Sequence, residues 1–82
     1  MNDSEIRQAF LEEIHKIAPD IEPADVSDDD HLQDDLELDS MDILNLVTAL
    51  HARLGVSIPE TDYAQIETLT KALKYFASRH GP

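Results

Sequence analysis

The acidic segment from Asp20 to Asp42 constrains the fold more than any other part of the chain. It contains eleven acidic residues and neither lysine nor arginine, and the part from Asp20 to Asp39 lacks a sustained helical or strand period. A loop this long in a small domain is functional, disordered or contains a short element of its own. Apolar residues recur along it like anchors, so we expect an ordered crossing between Asp20 and Asp39. The anchors are Ile21, Val26, Leu32, Leu36 and Leu38.

Two long helices are predicted on either side of this loop. The first covers Asn2 to Ile17, where Asn2 and Glu5 have the spacing of a capping box and Pro19 stops the helix. The second covers Ser40 to Leu54. Apolar residues repeat at helical spacing on one face of each helix. These core-facing residues are Ile6, Phe10, Leu11, Ile14 and Ile17 in the first helix, and Ile43, Leu46, Val47, Leu50 and Leu54 in the second.

The last third of the chain predicts two shorter helices. Gly55 ends the second helix, and a short third helix is predicted over Thr61 to Gln65, with Tyr63 and Ile66 turned inward. Thr68 caps a last helix, whose expected apolar stripe is Leu69, Ala72, Leu73, Phe76 and Ala77. Because no segment predicts a strand, the expected fold is all-α. It is a single domain over residues 1–82, a small three-to-four-helix bundle with a long ordered loop between the first and second helices.

Composition excludes several classes of function. The formal net charge of −12 argues against binding to nucleic acid, which requires lysine and arginine at the phosphates, and favours basic protein partners. It also makes a tight self-interface less favourable, so we expect a monomer. The chain has no cysteine, and therefore no disulfide and no cysteine metal site. We see neither a signal peptide nor a membrane span, and cytoplasmic location is the default expectation.

The most informative motif is Asp39-Ser40-Met41-Asp42, which joins the acidic segment to the second helix. Asp39 and Asp42 are spaced as a helix cap and its partner at the third helical position. Ser40 then lies on the first turn, where free backbone N–H groups and the positive end of the helix dipole point outward. A hydroxyl at that position suits a phosphate ester, because the start of a helix stabilises the attached negative charge.

Asp39-Ser40-Met41-Asp42 resembles the attachment motif of acyl carrier proteins, and the preceding Asp35-Leu36 matches as well. The resemblance continues through Ile58-Pro59 and Ile66-Glu67-Thr68-Leu69 and covers essentially the whole chain. It implies a non-catalytic carrier in fatty acid or polyketide biosynthesis. Ser40 would carry 4′-phosphopantetheine taken from coenzyme A, and acyl groups would be held as thioesters on that arm.

The resemblance also implies partners and the residues that meet them. The partners are a magnesium-dependent phosphopantetheinyl transferase, with Asp39 beside its metal and docking site, an acyl-loading ligase or transferase, and ketosynthase-type enzymes. We expect partners to dock on Asp35, Glu37, Met41, Asp42, Leu44, Asn45, Thr48, His51 and Ala52. The acyl chain would tuck between the helices against Leu46, Val47, Leu50, Tyr63, Ile66 and Ala72.

Three departures from the family pattern indicate a specialised carrier. Glu37 and Leu38 replace a small Gly-Ala type pair before Asp-Ser. In the fatty-acid-synthesis carriers, partners contact an acidic surface on the second helix. Here much of that surface is replaced by Asn45, His51, Ala52 and Arg53. Tyr63 stands where the family often has a smaller side chain, which would shorten the acyl slot.

Other readings of the sequence are weaker. The acidic loop lacks the glycine of an EF-hand, and the four histidines have no metal-ligand spacing and are expected on the surface, so no metal site is predicted. Ser40 lacks the Gly-x-Ser-x-Gly context of a hydrolase, and we predict no enzymatic activity. Two alternatives stay open: an acidic helical interaction module without a prosthetic group, and an aminoacyl carrier.

Overall fold

Three α-helices and two short 3₁₀ segments make up the structure, a computed structural model that describes the backbone of residues 2–79 and the side chains of residues 2–78. Helix α1 covers Asp3–Ile17, α2 covers Ser40–Leu54 and α3 covers Leu69–Arg79. The 3₁₀ segments are Pro23–Asp25 and Glu60–Ile66. No strand occurs in this described part, and the prediction of a small all-α bundle is confirmed.

Helix α1 begins as its sequence predicts. The Asn2 side chain accepts a hydrogen bond of 2.9 Å from the Glu5 N–H, and the Glu5 carboxylate accepts one of 3.4 Å from the Asn2 N–H. This reciprocal pair satisfies two backbone donors that the first turn leaves without partners. α1 then packs against both α2 and α3. The core between them includes the fully buried rings of Phe10 and Phe76.

The C-terminal third differs from the sequence prediction in two details. The predicted short helix is a 3₁₀ segment, Glu60–Ile66, in which Ile66 is buried and Tyr63 is half-buried. In α3 the assignment of Ala77 to the apolar stripe is wrong, because Ala77 is exposed and Tyr75 is buried instead. Tyr75 can lie inside because its hydroxyl donates a 2.8 Å hydrogen bond to Asp62. Its ring also packs edge-to-face on Phe76, with centroids 5.5 Å apart.

The acidic loop between α1 and α2 is held against both α1 and α3. The Arg7 guanidinium binds both carboxylate oxygens of Asp28, and the Thr70 N–H donates to the Asp28 carbonyl at 3.1 Å. Nearer to α2, the Leu32 N–H donates to the Glu67 carbonyl at 2.9 Å. Of the five apolar anchors, Leu32 and Leu38 are buried, and Ile21, Val26 and Leu36 are half-buried. The expectation of an ordered crossing is confirmed.

The ion pair between Arg7 and Asp28 makes the attachment of the loop sensitive to acid. The hydrogen bonds from Arg7 hold the pKa of Asp28 below its ordinary value. A carboxylate with a lowered pKa in the folded state stabilises the fold above its unfolded-state pKa, and this contribution is lost as the pH falls through the lowered value. The pair therefore operates at neutral pH and fails only in acid.

Helices α1 and α2 are also joined by ion pairs that the sequence did not predict. Arg53 donates to Glu12 at 2.6 Å and to Glu13 at 3.0 Å. Glu13, which its position in the helical repeat places on the solvent face, is only 8% exposed. Its burial is possible because Arg53 and Lys16 both bind its carboxylate, and a buried charge requires such partners.

The end of α2 provides a test of backbone conformation. Gly55 has a φ of 71°, and a Cβ at this position would meet no atom within 4 Å. Gly55→Ala should therefore lower the free energy of unfolding by roughly 1–2 kcal/mol through backbone conformation alone. Chemical denaturation measures this loss. Gly55→Asn is the matched control and should lose less, because asparagine tolerates this region; an alanine variant as stable as the parent would contradict the assignment.

Candidate functional site

The candidate site is centred on Ser40, the first residue of α2. Asp39 has extended backbone angles and acts as the N-cap, and its side chain accepts a 2.9 Å hydrogen bond from the Asp42 N–H. The Asp42 carboxylate in turn accepts a 3.2 Å bond from the Asp39 N–H. This is the capping box that the sequence predicts, with the helix beginning at Ser40.

Ser40 is exposed, and its hydroxyl has no hydrogen-bond partner among residues 2–78. The capping box occupies the Asp42 N–H, so the N–H groups of Ser40 and Met41 are the ones at this helix start that lack an intrahelical acceptor. Together with the helix dipole they favour negative charge next to the hydroxyl. The site can therefore accept a bulky anionic substituent on Ser40 without disturbing the cap.

A groove of about 510 Å³ adjoins Ser40, between the start of α2 and the Glu60–Ile66 segment. Its walls are mostly apolar, with an amide and two carboxylates among them. The lining residues are Leu32, Gln33, Ser40, Met41, Ile43, Leu44, Glu60, Tyr63, Ala64 and Glu67. Met41 and Leu44, which are 63% and 45% exposed, form an apolar edge of the groove beside the serine. This arrangement provides a shallow binding surface next to the hydroxyl.

The residues expected to dock partners lie on the surface, from the end of the acidic loop along α2. Asp35, Glu37, Met41, Leu44, Asn45, Thr48, His51 and Ala52 are exposed, and Asp42 is half-buried. The Thr48 hydroxyl is already used locally, since it donates to the Leu44 carbonyl at 2.9 Å. Accessibility makes docking here possible, and the docking role stays a prediction.

The residues expected to line an acyl slot lie mainly in the closed core. Leu46, Leu50, Ile66 and Ala72 have no exposed surface, and Val47 is 6% exposed. Tyr63 is the one member of the predicted set that lines the groove beside Ser40. An acyl chain would contact the other five only after the helices separate, so the slot stays a prediction about a loaded state.

Sequence reasoning missed the part of the groove wall that comes from the acidic loop. His31, expected on the surface, is half-buried, and its Nε2 lies 3.0 Å from a Glu67 carboxylate oxygen. The hydrogen bond from Lys71 and then that from His31 hold the pKa of Glu67 below its ordinary value. The helical period carries no signal for the contact between His31 and Glu67, because it joins residues 36 positions apart in the chain.

Neither a metal cluster nor a membrane span is found in the part of the chain that the structure describes. No group of three or more histidine or acidic side chains is arranged to hold a metal ion there. None of its helices has the length and apolar character needed to cross a bilayer.

Comparison with known proteins identifies the family. Residues 4–76 match the family model described as "Phosphopantetheine attachment site". The chain belongs to the acyl carrier protein family. Members of this family are carriers that bear phosphopantetheine and are not catalysts, so the expectations of a carrier role, of this cofactor and of no enzymatic activity are confirmed at the level of the family.

Individual relatives agree with this assignment. The acyl carrier protein of Rubrobacter xylanophilus is 29% identical over 72 residues, which cover 84% of this chain and 89% of that protein. The mitochondrial acyl carrier protein of Neurospora crassa is 33% identical over 58 residues, 71% of this chain and 43% of the relative's length. A solved acyl carrier protein from Enterococcus faecalis is 32% identical and superposes with a TM-score of 0.79, covering 95% of this chain and 98% of that one.

The N-cap of α2 can be tested by substitution. Asp39→Ala removes the acceptor for the Asp42 N–H and should lower the free energy of unfolding by about 1 kcal/mol. Asp39→Asn keeps an acceptor oxygen at the same place and should stay close to the parent. Urea denaturation of the three proteins measures the difference. Equal stability of the alanine and asparagine variants would show that the observed hydrogen bond does not stabilise the start of α2.

Proposed function

We propose that Ser40 carries 4′-phosphopantetheine and that the protein presents acyl groups, held as thioesters on this arm, to the enzymes that load, modify and remove them. The observation that supports the proposal is the Ser40 hydroxyl, which is exposed at the capped start of α2 and has no hydrogen-bond partner among the side chains and backbone that the structure describes. A serine that only caps or packs would be engaged by its neighbours. This one is free to be modified by another protein.

The residues around Ser40 suit such a group. A phosphodiester on the hydroxyl lies at the positive end of the helix dipole, where the Ser40 and Met41 N–H groups can donate to it. The capping box holds the serine in place throughout, because it uses only Asp39 and Asp42. When attached, the arm would supply the thiol that this cysteine-free chain lacks, and the apolar groove would shelter part of its cargo.

The same geometry supports the proposed partners. Exposed Met41 and Leu44 give a transferase, a ligase or a ketosynthase-type enzyme an apolar contact beside the serine. The acidic segment before Ser40 attracts basic surfaces and speeds encounter with them. We propose that Asp39 borders the metal site of the transferase in their complex. The proposed carrier acts in the cytoplasm. Its charge of −12 disfavours a tight self-interface, so we expect a monomer that meets its partners one at a time.

Two alternatives remain testable. A pure interaction module would use the same acidic surface and carry nothing on Ser40. An aminoacyl carrier would bear the same arm with a different cargo, and the carboxylates of Glu60 and Glu67 in the groove are compatible with an ammonium group. Modification of Ser40 separates the first alternative from the carrier, and the preference of the loading enzyme separates the second.

Loading of Ser40 is tested with coenzyme A, magnesium and a broad-specificity phosphopantetheinyl transferase. We expect intact-mass measurement to show one added group on the parent protein and none on Ser40→Ala. Ser57→Ala, which removes another exposed serine, is the matched control and should be modified fully. A thiol titration should agree, since every thiol found must come from the arm. An unmodified parent protein would leave the interaction module as the better reading.

We further propose that this carrier is specialised for a dedicated ligase or synthase. The support is the surface of α2 after Ser40, where Asn45, His51 and Ala52 are exposed and Arg53 is bound to α1. This surface lacks the acids that partners of the fatty-acid-synthesis carriers contact. The malonyl form should therefore be extended poorly by the general fatty-acid elongation enzymes, as measured by product formation over time. Efficient turnover would refute the specialisation and leave the carrier role intact.

A further inference from the structure

A single helical turn from His31 to Leu36 forms one wall of the groove beside Ser40, and His31 makes several of its hydrogen bonds. Its carbonyl accepts hydrogen bonds from the Asp35 N–H at 2.9 Å and the Leu36 N–H at 3.1 Å. Its own N–H donates to the Asp35 carboxylate at 2.7 Å. Two residues of this turn, Leu32 and Gln33, line the groove. The shape of this wall therefore depends on how His31 is held.

The two ring nitrogens of His31 have opposite roles. Nδ1 lies 3.2 Å from the Gln33 nitrogen and 3.3 Å from the Asp34 nitrogen, and both of these backbone groups can only donate. Nδ1 must therefore be an unprotonated acceptor. Nε2 lies 3.0 Å from a Glu67 carboxylate oxygen, which can only accept when ionised, so Nε2 carries the proton. The neutral Nε2–H tautomer satisfies every contact of the ring.

A second proton on the ring would be compatible with the contact of Nε2 but not with the contacts of Nδ1. Nε2–H would continue to donate to Glu67. A proton on Nδ1 would face the Gln33 and Asp34 N–H groups, and donor facing donor is unfavourable. The Asp34 carboxylate lies 3.8 Å from Nδ1 and can pair with the protonated ring. The other charged groups around the ring are Asp35 in the same turn, Glu67 before α3, and Lys71 of α3, which binds Glu67.

We propose that His31 is a positioning residue of the carrier site: its neutral Nε2–H tautomer holds the Leu32–Gln33 wall of the groove against Glu67, and protonation at Nδ1 rearranges that wall. This role rests on the proposed function of Ser40. Protonation exchanges the bonds from the Gln33 and Asp34 N–H groups for an ion pair with Asp34, and the attachment to Glu67 persists. The groove beside Ser40 thus has two shapes, and the proton on His31 selects between them.

The tautomer can be tested directly on the full-length unmodified protein. Two-bond ¹H–¹⁵N NMR correlations of the imidazole at pH 8 should show His31 protonated at Nε2 and not at Nδ1. This measurement needs no variant, so a failure of folding cannot obscure it. A neutral ring protonated at Nδ1 would overturn the proposal.

The rearrangement can be tested by following amide shifts as the pH is lowered from 8 until the ring signals of His31 report its protonation. The amide signals of Gln33 and Asp34 should move with the same midpoint as the His31 ring. Amides that stay still while the ring titrates would overturn the proposal.

Two matched variants assign this step to His31. His31→Asn places a carbonyl oxygen near the position of Nδ1, where it can accept from the same N–H groups in an Asx-type turn but cannot titrate. The fold should persist and the pH step at Gln33 and Asp34 should be lost. His51→Asn removes an exposed imidazole on α2 and should leave the step unchanged. A step that survives His31→Asn, or disappears in His51→Asn, would overturn the proposal.

The outcome is separable from that of the carrier proposal. The NMR measurements use protein without the arm, whereas loading of Ser40 is read from the intact mass. If Ser40 is loaded but the pH step is absent, only the role of His31 fails. If the step is present but Ser40 stays unmodified, His31 still rearranges the turn, and the carrier proposal fails.

Discussion

Backbone hydrogen bonds that hold the acidic loop to α3 and to Glu67 just before it are the interactions on which the rest of the site depends. A segment so rich in carboxylates can bury little of its own surface, and its charges repel one another. The Leu32 N–H nevertheless reaches the Glu67 carbonyl, and the Thr70 N–H reaches the Asp28 carbonyl. Each such bond contributes only about 1 kcal/mol net, but together they fix where the loop ends. That end is the cap of α2, so the position of Ser40 follows from them.

The distribution of charge complements this anchoring. Arg7, Lys16, Arg53 and Lys71 all form ion pairs within the fold. Within residues 2–78, none of these pairs involves the carboxylates next to Ser40, namely Asp35, Glu37, Asp39 and Asp42. The cations therefore stabilise helix contacts and the middle of the loop, and the approach to the serine keeps its negative potential. A basic partner would be steered toward the residue that it must reach.

The sequence predicted the elements whose causes are local. The two capping boxes, at Asn2 and Asp39, and the helix end at Gly55 follow from residues within a few positions of one another. The errors at Tyr75 and Glu13 have another cause. A buried tyrosine needs an acceptor such as Asp62, and a buried glutamate needs a cation such as Arg53, and in both cases the partner belongs to a different element. Periodicity describes one helix at a time and cannot supply that partner.

The difference between local causes and contacts across elements also explains which parts of the site the sequence predicted. The motif around Ser40 lies within four residues, and the sequence indicates both the cap and the exposed hydroxyl. The groove wall at Leu32 and Glu67, where His31 contacts Glu67, requires the loop to return to the start of α3, and no local pattern shows this. The predicted acyl slot is a different case. The structure shows the core packed without an acyl chain, whereas the prediction concerns a loaded state in which the helices would separate.

Glu37 gives the junction between the loop and α2 a property of its own. Its φ of 59° lies in the left-handed region, which glycine occupies freely and a residue with a Cβ enters at a cost. The side chain narrows the range of directions from which the chain can enter α2, and the buried Leu38 next to it fixes that direction. The conformational freedom that a glycine would keep here has been removed before any partner arrives. Recognition of Ser40 would then leave less ordering of this junction to be done on binding.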